Sequence, residues 1–433
     1  MKKINSIDSI EIGENTLVVM FGVPASGKSY VAEKLALDRG AFVMSSDTIR
    51  EELYGTAECQ DDPNKVFSIL QQRTTDLLKK GESVIIDATS LIKKYRVSNL
   101  KTYKGKFQRA ILIVCATELD IIKRQNQQRE RHVPEDVILR MFKTMSFPRD
   151  DEGWDEIYIL PHPENKKSLE DYLNDCKGIE HDNPHHKLGI YEHMLACEEY
   201  LQIKDKMSDK EPNEFLYKVA RYHDIGKPVV KSRLKRKGKE WIEDTCSHYM
   251  GHADVGSYMA ACSPDPLANE LMITLIGAHM DRFASPETYM IDFAEAHGRD
   301  LGLVGAFMAL NDADEHCDNR IVERNNRIEL LEIIRSLDLD QIREYDEDDE
   351  AEYNSYLHIE DDKVYERFNE LCCELFIDEE FGKPRRDVIE EIESIIYPEF
   401  GMEIIPGDEV FSFGWLTGCI VMNDRETLVM CFG

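Results

Sequence analysis

From Thr16 to Phe21 the chain carries no charge, and it stops at Gly22. A short apolar run closed by a glycine predicts a strand buried on both faces. The apolar spacing then changes, and Tyr30–Asp38 reads as a helix. Further strand-sized runs lie at Ala41–Met44, Ser83–Ile86, Arg109–Cys115 and Glu156–Leu160, with helical patterns between them. Strands alternating with helices predict an α/β domain, a parallel sheet with helices on both faces. From about Lys187 to Ser336 strand signals nearly vanish and apolar positions recur at helical spacing, which predicts an all-α domain. The polar, proline-bearing segment Pro161–Pro184 is the expected boundary between the two. An acidic run, Glu344–Glu352, marks a second boundary. Beyond it Val364–Phe376 and Arg386–Ile396 look helical, and Glu409–Phe432 alternates like a strand pair turned at Asn423 and Asp424. The expected organisation is therefore residues 1–165, residues 175–336 and a small α+β tail, residues 337–433, in which no chemistry is recognisable.

Composition narrows the class. At 433 residues the chain exceeds one ordinary core. Hydrophobic content of 42% with 32% charged residues is the balance of a folded soluble protein, and no stretch approaches the roughly 18 apolar residues that a membrane span needs. The N-terminus starts basic but turns acidic before its short apolar run, so it reads as a strand and not as a signal peptide. Eleven cysteines include the adjacent Cys372 and Cys373 but no CxxC spacing. That indicates neither a zinc knuckle nor a disulfide framework, and it suits a reducing cytoplasm. A formal charge of −31 argues against nonspecific coating of nucleic acid, which draws its affinity from many Lys and Arg side chains. Charge is segregated, however: Glu344–Glu352 carries seven acidic residues and Lys227–Lys239 seven basic ones.

Gly22–Ser29 reads GVPASGKS and satisfies GxxxxGK[ST] between a buried strand and a helix. In such a loop the backbone around Gly22, Ser26 and Gly27 can cradle the phosphates of ATP, Lys28 can reach the β and γ oxygens, and the Ser29 hydroxyl can ligate Mg²⁺. The loop alone does not separate a kinase from a motor or a switch. Asp47, in Ser45-Ser46-Asp47-Thr48-Ile49-Arg50 after the second strand, can accept a proton from an acceptor hydroxyl, or it can cap the helix that starts there. The next strand, Val84-Ile85-Ile86-Asp87, delivers Asp87 and Thr89 to the same edge of the sheet. Asp87 is there either a carboxylate near Mg²⁺ or a strand-end cap.

These segments carry a family resemblance. Residues 16–160 resemble the phage-type polynucleotide 5′-kinase family through GVPASGKS, SSDTIR, IIDATSL and RQNQQRERHVPEDVILRMFKTM. The resemblance implies transfer of a phosphoryl group from ATP to a 5′-hydroxyl, with Asp47 as general base. It implies that Arg50 and Thr89 hold the acceptor's phosphate and that Arg129 stabilises the transferring group. Arg124, on the nucleotide side, and Arg131 are the reserve candidates for that lid arginine.

Further along, His223-Asp224 closes an apolar helical run in Ala220-Arg221-Tyr222-His223-Asp224-Ile225-Gly226-Lys227. His193, His252, His279 and Asp314 recur around it, several on otherwise apolar helices. Such clusters converging in one helical domain point to a metal site, and mostly imidazole donors suit Mn²⁺, Co²⁺, Ni²⁺ or Zn²⁺ better than Mg²⁺. The order H…HD…H…H…D resembles the HD phosphohydrolase superfamily over residues 181–320. NPHHKLGIYEHM, YHDIGKP and YMGHADVGS are similar to the HD domains attached to CCA-adding tRNA nucleotidyltransferases. The resemblance implies His193, His223, Asp224 and Asp314 on a first metal, His252 and His279 completing a second, and Lys227 on substrate phosphate. His185, His186 and His248 are spare, each either a group that backs the ligands or simply exposed. The basic stretch Lys227–Lys239 either guides a polyanion toward the metal or forms a solvated hairpin.

Kinase and phosphohydrolase on one chain imply nucleic-acid end healing, with RNA or DNA ends, tRNA among them, as partners and a ligase to seal them. The phage-type enzyme pairs its kinase with a different phosphatase fold. One alternative is a small-molecule kinase fused to a nucleotidase. Another is a nucleotide-sensing regulatory protein whose HD site is a ligand pocket.

Overall fold

The computed structural model describes residues 1–336 except 60, 185, 209, 238 and 239, and then 342–345, 354–357, 367, 371, 402–406, 417–422 and 426–431. Six strands, β1 (Lys2–Lys3), β2 (Thr16–Phe21), β3 (Phe42–Ser45), β4 (Val84–Asp87), β5 (Arg109–Ala116) and β6 (Glu156–Pro161), form one parallel sheet in the order β1-β6-β5-β2-β4-β3. The expected strands are present. The two residues of β1 are too few to show a pattern. Leu17–Phe21 and Ile111–Val114 are wholly buried at the centre, as strands covered on both faces must be. Helices α1 (Lys28–Arg39), α2 (Ser46–Tyr54), α3 (Pro63–Lys79), α4 (Lys93–Tyr103), α5 (Leu119–Gln128) and α6 (Glu135–Lys143) connect and cover them. Because β3 and β4 lie on one side of β2, and β5 and β6 on the other, the strand order reverses at β2. The carboxyl ends of the strands open a crevice there.

After β6 the chain turns helical: α7 (Leu169–Asn174), α8 (Ile190–Met207), α9 (Glu214–Tyr222), α10 (Lys227–Val230), α11 (His252–Cys262), α12 (Glu270–Ala278), α13 (Asp281–Ala284), α14 (Tyr289–Ala296) and α15 (Leu301–Ser336). The expectation of an all-α domain needs one correction. The basic stretch forms an antiparallel hairpin, β7 (Ser232–Lys237) with β8 (Glu240–His248). A hairpin is one of the two readings of that stretch, and Leu234 and Trp241 on it are exposed.

The expected boundary segment is itself folded, with Leu169, Tyr172 and Leu173 of α7 buried, and Met1–Asp318 forms one compact unit. Tyr258 on α11 joins the helical part to the sheet. Its hydroxyl accepts from the Thr117 N–H and donates to the Cys115 carbonyl, both at 3.0 Å. Its ring packs against Phe21, Phe142 and Phe147. The Phe147 N–H donates to Asp254 at 2.8 Å, and the Arg149 guanidinium holds both oxygens of Asp281 at 2.6 and 2.7 Å. Tyr258→Phe keeps the ring but orphans a buried N–H and weakens a buried carbonyl's pairing. We expect a loss of about 1–3 kcal/mol in unfolding free energy, measurable by denaturant titration.

The second unit, Asn319–Gly433, contains strands β9 (Ile342–Tyr345), β10 (Asn354–Leu357), β11 (Met402–Pro406), β12 (Thr417–Met422) and β13 (Glu426–Cys431) in the order β11-β12-β13-β10-β9. The antiparallel β12 and β13 are the expected terminal strand pair. The turn at Asn423 and Asp424 and, but for residues 367 and 371, the two expected helices lie outside the described residues. Among the described residues no helix is long and apolar enough to cross a membrane.

Candidate active sites

The turn after β2 is built for close approach to an anion. Gly22 sits at φ 153°, where a Cβ would run into the Ser26 side chain. Gly27 precedes α1 as its N-cap, so the unpaired N–H groups of the first helical turn open onto the loop. Lys28 is buried and donates to the Val23 carbonyl at 2.8 Å. Burial pulls its pKa down, and Asp87 acts against that. The Ser29 hydroxyl donates to Asp87 Oδ2 at 2.7 Å. A hydroxyl and a carboxylate paired at the mouth of a phosphate loop fit a divalent metal.

Ser45, not Asp47, caps α2, its hydroxyl accepting from the N–H groups of Asp47 (3.2 Å) and Thr48 (3.5 Å). The capping alternative for Asp47 therefore falls. Its side chain is 48% exposed, with Oδ1 accepting from Arg50 at 2.9 Å and Oδ2 from Arg131 at 2.8 Å. Arg50 is buried, and its Nε has no partner. Gly27, Lys28, Ser29, Asp47, Arg50, Asp87, Thr89 and Arg129 together line a cleft of about 820 Å³. Gly22 and Ser26 shape its turn, and the Gly22 N–H is held by the Thr89 carbonyl at 3.1 Å. Arg124 is directed elsewhere, paired with Glu164, and Arg131 stands in the cleft. Sequence reasoning missed Arg140 and the exposed rings of Tyr30 and Phe67, which also line the cleft. Exposed aromatic residues on helices give no periodic signal that separates them from ordinary surface positions.

The helical part gathers its ligand candidates just as closely. His193 (α8), His223 (after α9), His252 (start of α11), His279 (after α12) and Asp224 are buried, and Asp314 joins them from α15. Three histidines have Nδ1 at 2.7 Å from a backbone carbonyl: His223 on Ala220, His252 on Tyr249 and His279 on Ile276. In His193 the same role falls to Asp318, at 2.6 Å. Each ring thereby turns Nε2 inward, the arrangement of metal-binding histidines. Asp224 stands between two groups. Its Oδ2 lies 3.6 Å from His193 and 3.2 Å from His223, and its Oδ1 lies 3.2 Å from His252 and 3.6 Å from His279. Gly226 permits this closeness, because a Cβ there would strike the His252 carbonyl and the Gly256 nitrogen of α11.

His223 Nε2 and Asp224 Oδ1 are buried without a hydrogen-bond partner, and Asp224 Oδ2 is met by the Lys227 ammonium at 2.5 Å; a bound cation would relieve the two unpaired atoms. Burial works to lower the His193 and His223 pKa values, but neighbouring carboxylates outweigh it, holding His193 well above its usual range and His223 at about 9. Burial likewise works to raise Asp224 and Asp314. The imidazoles, and for Asp224 also Lys227, nonetheless hold both well below the usual carboxylate range. The carboxylates thus stabilise positive charge on the buried imidazoles, and a divalent metal can take the place of those protons.

Lys227 is buried, 2.5 Å from Asp224 Oδ2 and 2.9 Å from His181 Nε2. His186 stacks on His181 and reaches Asp318, while His248 pairs with Asp244 on the hairpin; His185 lies outside the described residues. Sequence reasoning missed Asp318 and Arg282, whose Nη2 is 3.1 Å from Asp314 Oδ2. Only the spacing of Asp314 and Asp318, one helical turn apart, hinted at the former.

Residues 17–148 match the AAA domain family and residues 190–333 the HD domain family. The chain joins a P-loop kinase-like domain to an HD domain. Similar solved structures include a gluconokinase from Sinorhizobium meliloti (19% identity, 34% of this chain and 82% of that one, TM-score 0.26). They also include the APS kinase of Mycobacterium tuberculosis (20% identity, 35% and 91%, TM-score 0.26) and a shikimate kinase from Acinetobacter baumannii (16% identity, 33% and 81%, TM-score 0.23). The chain spans 66% of a further match, from Chloroflexus aurantiacus. A P-loop kinase-like domain implies ATP with a divalent metal, and an HD domain implies a divalent metal of its own.

Proposed function

We propose that this chain is a bifunctional nucleic-acid end-healing enzyme of RNA repair. The P-loop domain is an ATP-dependent polynucleotide 5′-hydroxyl kinase, and the HD domain clears 3′-phosphate or 2′,3′-cyclic phosphate ends. One juxtaposition carries the reading: Asp47 is held against Arg50, a buried guanidinium with an unused Nε. An acceptor seated there presents a hydroxyl to a base and an anion to an arginine together. The 5′ end of a polynucleotide offers both, the anion being its first internucleotide phosphate, whereas a free nucleoside offers only the hydroxyl.

In this reading Lys28 and the loop N–H groups orient the phosphates of ATP, and Ser29 and Asp87 hold Mg²⁺. Asp47 takes the proton of the attacking hydroxyl, and Arg129 with Arg131 stabilises the transferring group. In the HD domain His193, His223, Asp224 and Asp314 would hold one transition metal, and His252 and His279 would be the further donors for a second. When bound, the metal supplies Lewis-acid polarisation of the phosphoryl group and a nucleophile at neutral pH. Lys227 and Arg282 stand ready as cations for the substrate phosphate. The products, a 5′-phosphate and a 3′-hydroxyl, are the ends that a ligase joins.

The test is transfer of labelled γ-phosphate from ATP to 5′-OH RNA, 5′-OH DNA and free nucleosides, run beside phosphate release from 3′-phosphate and 2′,3′-cyclic ends. Labelled oligonucleotides with unlabelled nucleosides support the reading. Labelled nucleosides with unlabelled oligonucleotides replace it with a small-molecule kinase.

The hairpin offers a second check. It exposes Arg233, Lys235 and Lys237 and, on the face set by the register Arg236↔Trp241, a ring that is 61% exposed; cations and a ring are the elements that grip a single strand. Replacing Arg233, Lys235, Arg236 and Lys237 with Ser should raise the Michaelis constant for 3′-phosphorylated oligonucleotides and flatten its salt dependence by about 0.7 log–log units per lost phosphate contact. Hydrolysis of an aryl phosphate should stay unchanged.

A further inference from the structure

Cys197 stands one helical turn beyond His193 on α8, so the two side chains share a face. Both are wholly buried, and Cys197 Sγ lies 3.7 Å from His193 Nε2. His193 Nε2 is in turn 3.1 Å from Asp314 Oδ1, which is 3.4 Å from His223 Nε2. These three separations are close to those of adjacent donors on one metal ion. With metal bonds of about 2.1 Å to nitrogen or oxygen and about 2.3 Å to sulfur, adjacent donors lie roughly 3.4 Å apart, or roughly 3.6 Å where one is sulfur. Donor atoms of Cys197, His193, His223 and Asp314 all fall within 4.8 Å of one another.

We propose that Cys197 is a thiolate ligand of the HD-domain metal, added to the histidines and aspartates of the HD signature, and that it biases the site toward zinc or cobalt and away from magnesium. The proposal rests on the reading of the HD cluster as a metal centre. A buried free cysteine ordinarily behaves as a small hydrophobe among apolar neighbours. Here the sulfur instead faces an imidazole nitrogen, with a second thiol, Cys317 Sγ, 3.2 Å away. Cys317 also lies 3.5 Å from His193 Nδ1, so it sits beside the ring edge that points away from the metal group and can donate its S–H toward Cys197. A coordinating thiol loses its proton to solvent as the cation enters. The soft sulfur then favours zinc, cobalt or iron over hard cations.

The test uses the full chain loaded with Co²⁺ under reducing conditions, with cobalt content measured in parallel. We expect a near-ultraviolet thiolate-to-cobalt charge-transfer band that is lost in Cys197→Ser and kept in Cys317→Ser. A cobalt-loaded wild type without the band overturns the proposal, as does a band that survives Cys197→Ser. Should that variant fail to fold, zinc-edge X-ray absorption of the unaltered protein decides. One sulfur at about 2.3 Å supports the assignment, and a shell of only nitrogen and oxygen overturns it. Wild type that takes up no metal overturns the metal-centre reading as well, and the metal content tells this outcome from the others.

Discussion

Asp47→Asn should lower the rate of phosphoryl transfer by about 10²–10⁴-fold, the usual contribution of a positioned general base, while 3′-phosphate release by the same preparation stays unchanged. The helix gives no competing explanation, because Ser45 supplies the cap of α2. Asn also keeps an oxygen for Arg50 and fills the same volume, so what it removes is the proton acceptor. Lys28→Ala should show the same split between activities, since Lys28 lies in the P-loop while the HD cluster is built from residues 193–314. The measurement is single-turnover transfer of labelled phosphate to a 5′-OH oligonucleotide. Near-wild-type turnover by Asp47→Asn would leave Asp47 the simpler task of orienting Arg50 and Arg131.

Much of this fold is legible because its signals are local. The buried run Thr16–Phe21 and the turn at Gly22 announce themselves in a few adjacent residues, and each strand of a sheet covered on both faces reads as an apolar run wherever it occurs. The metal cluster is legible for another reason. Histidines on apolar helices are conspicuous, and His193, His223, His252 and His279 do converge.

What stays hidden depends on partners far away in the chain. Nothing near Arg124 says that it meets Glu164 while Arg131 reaches back to Asp47, because two adjacent arginine-bearing turns have the same composition. Asp318 acts through His186, Lys187 and His193, the last of them 125 positions earlier. The basic run reads equally well as a hairpin or as a guide for a polyanion, since charge alone fixes no strand register. The segment between the two chemistries reads as a boundary because it is polar, and it does lie between the two family matches. The contacts that make Met1–Asp318 one unit come instead from Tyr258, Arg149 and Asp254, residues that by themselves mark no interface.

The largest loss in the HD domain is expected from Asp224→Asn. Asp224 is the one carboxylate that faces both histidine groups, His193 and His223 through one oxygen and His252 and His279 through the other. Asparagine preserves its volume in a fully buried position, so packing is spared, and the neutral amide is a poor substitute for a carboxylate ligand. Alanine would be a worse test, because a cavity beside Lys227 would add a loss of stability to the loss of the ligand. We expect the variant to fall toward zero metal per chain by elemental analysis and to background in 3′-phosphate release. Kinase turnover should remain, because the P-loop cleft is lined by none of these residues. Chelation of the unaltered protein should reproduce the loss. Mn²⁺, Co²⁺, Ni²⁺ or Zn²⁺ should restore it where Mg²⁺ does not, since imidazole donors suit those ions. An Asp224→Asn protein that kept both its metal and its hydrolase activity would remove Asp224 from the ligand set and leave it the simpler task of pairing with Lys227.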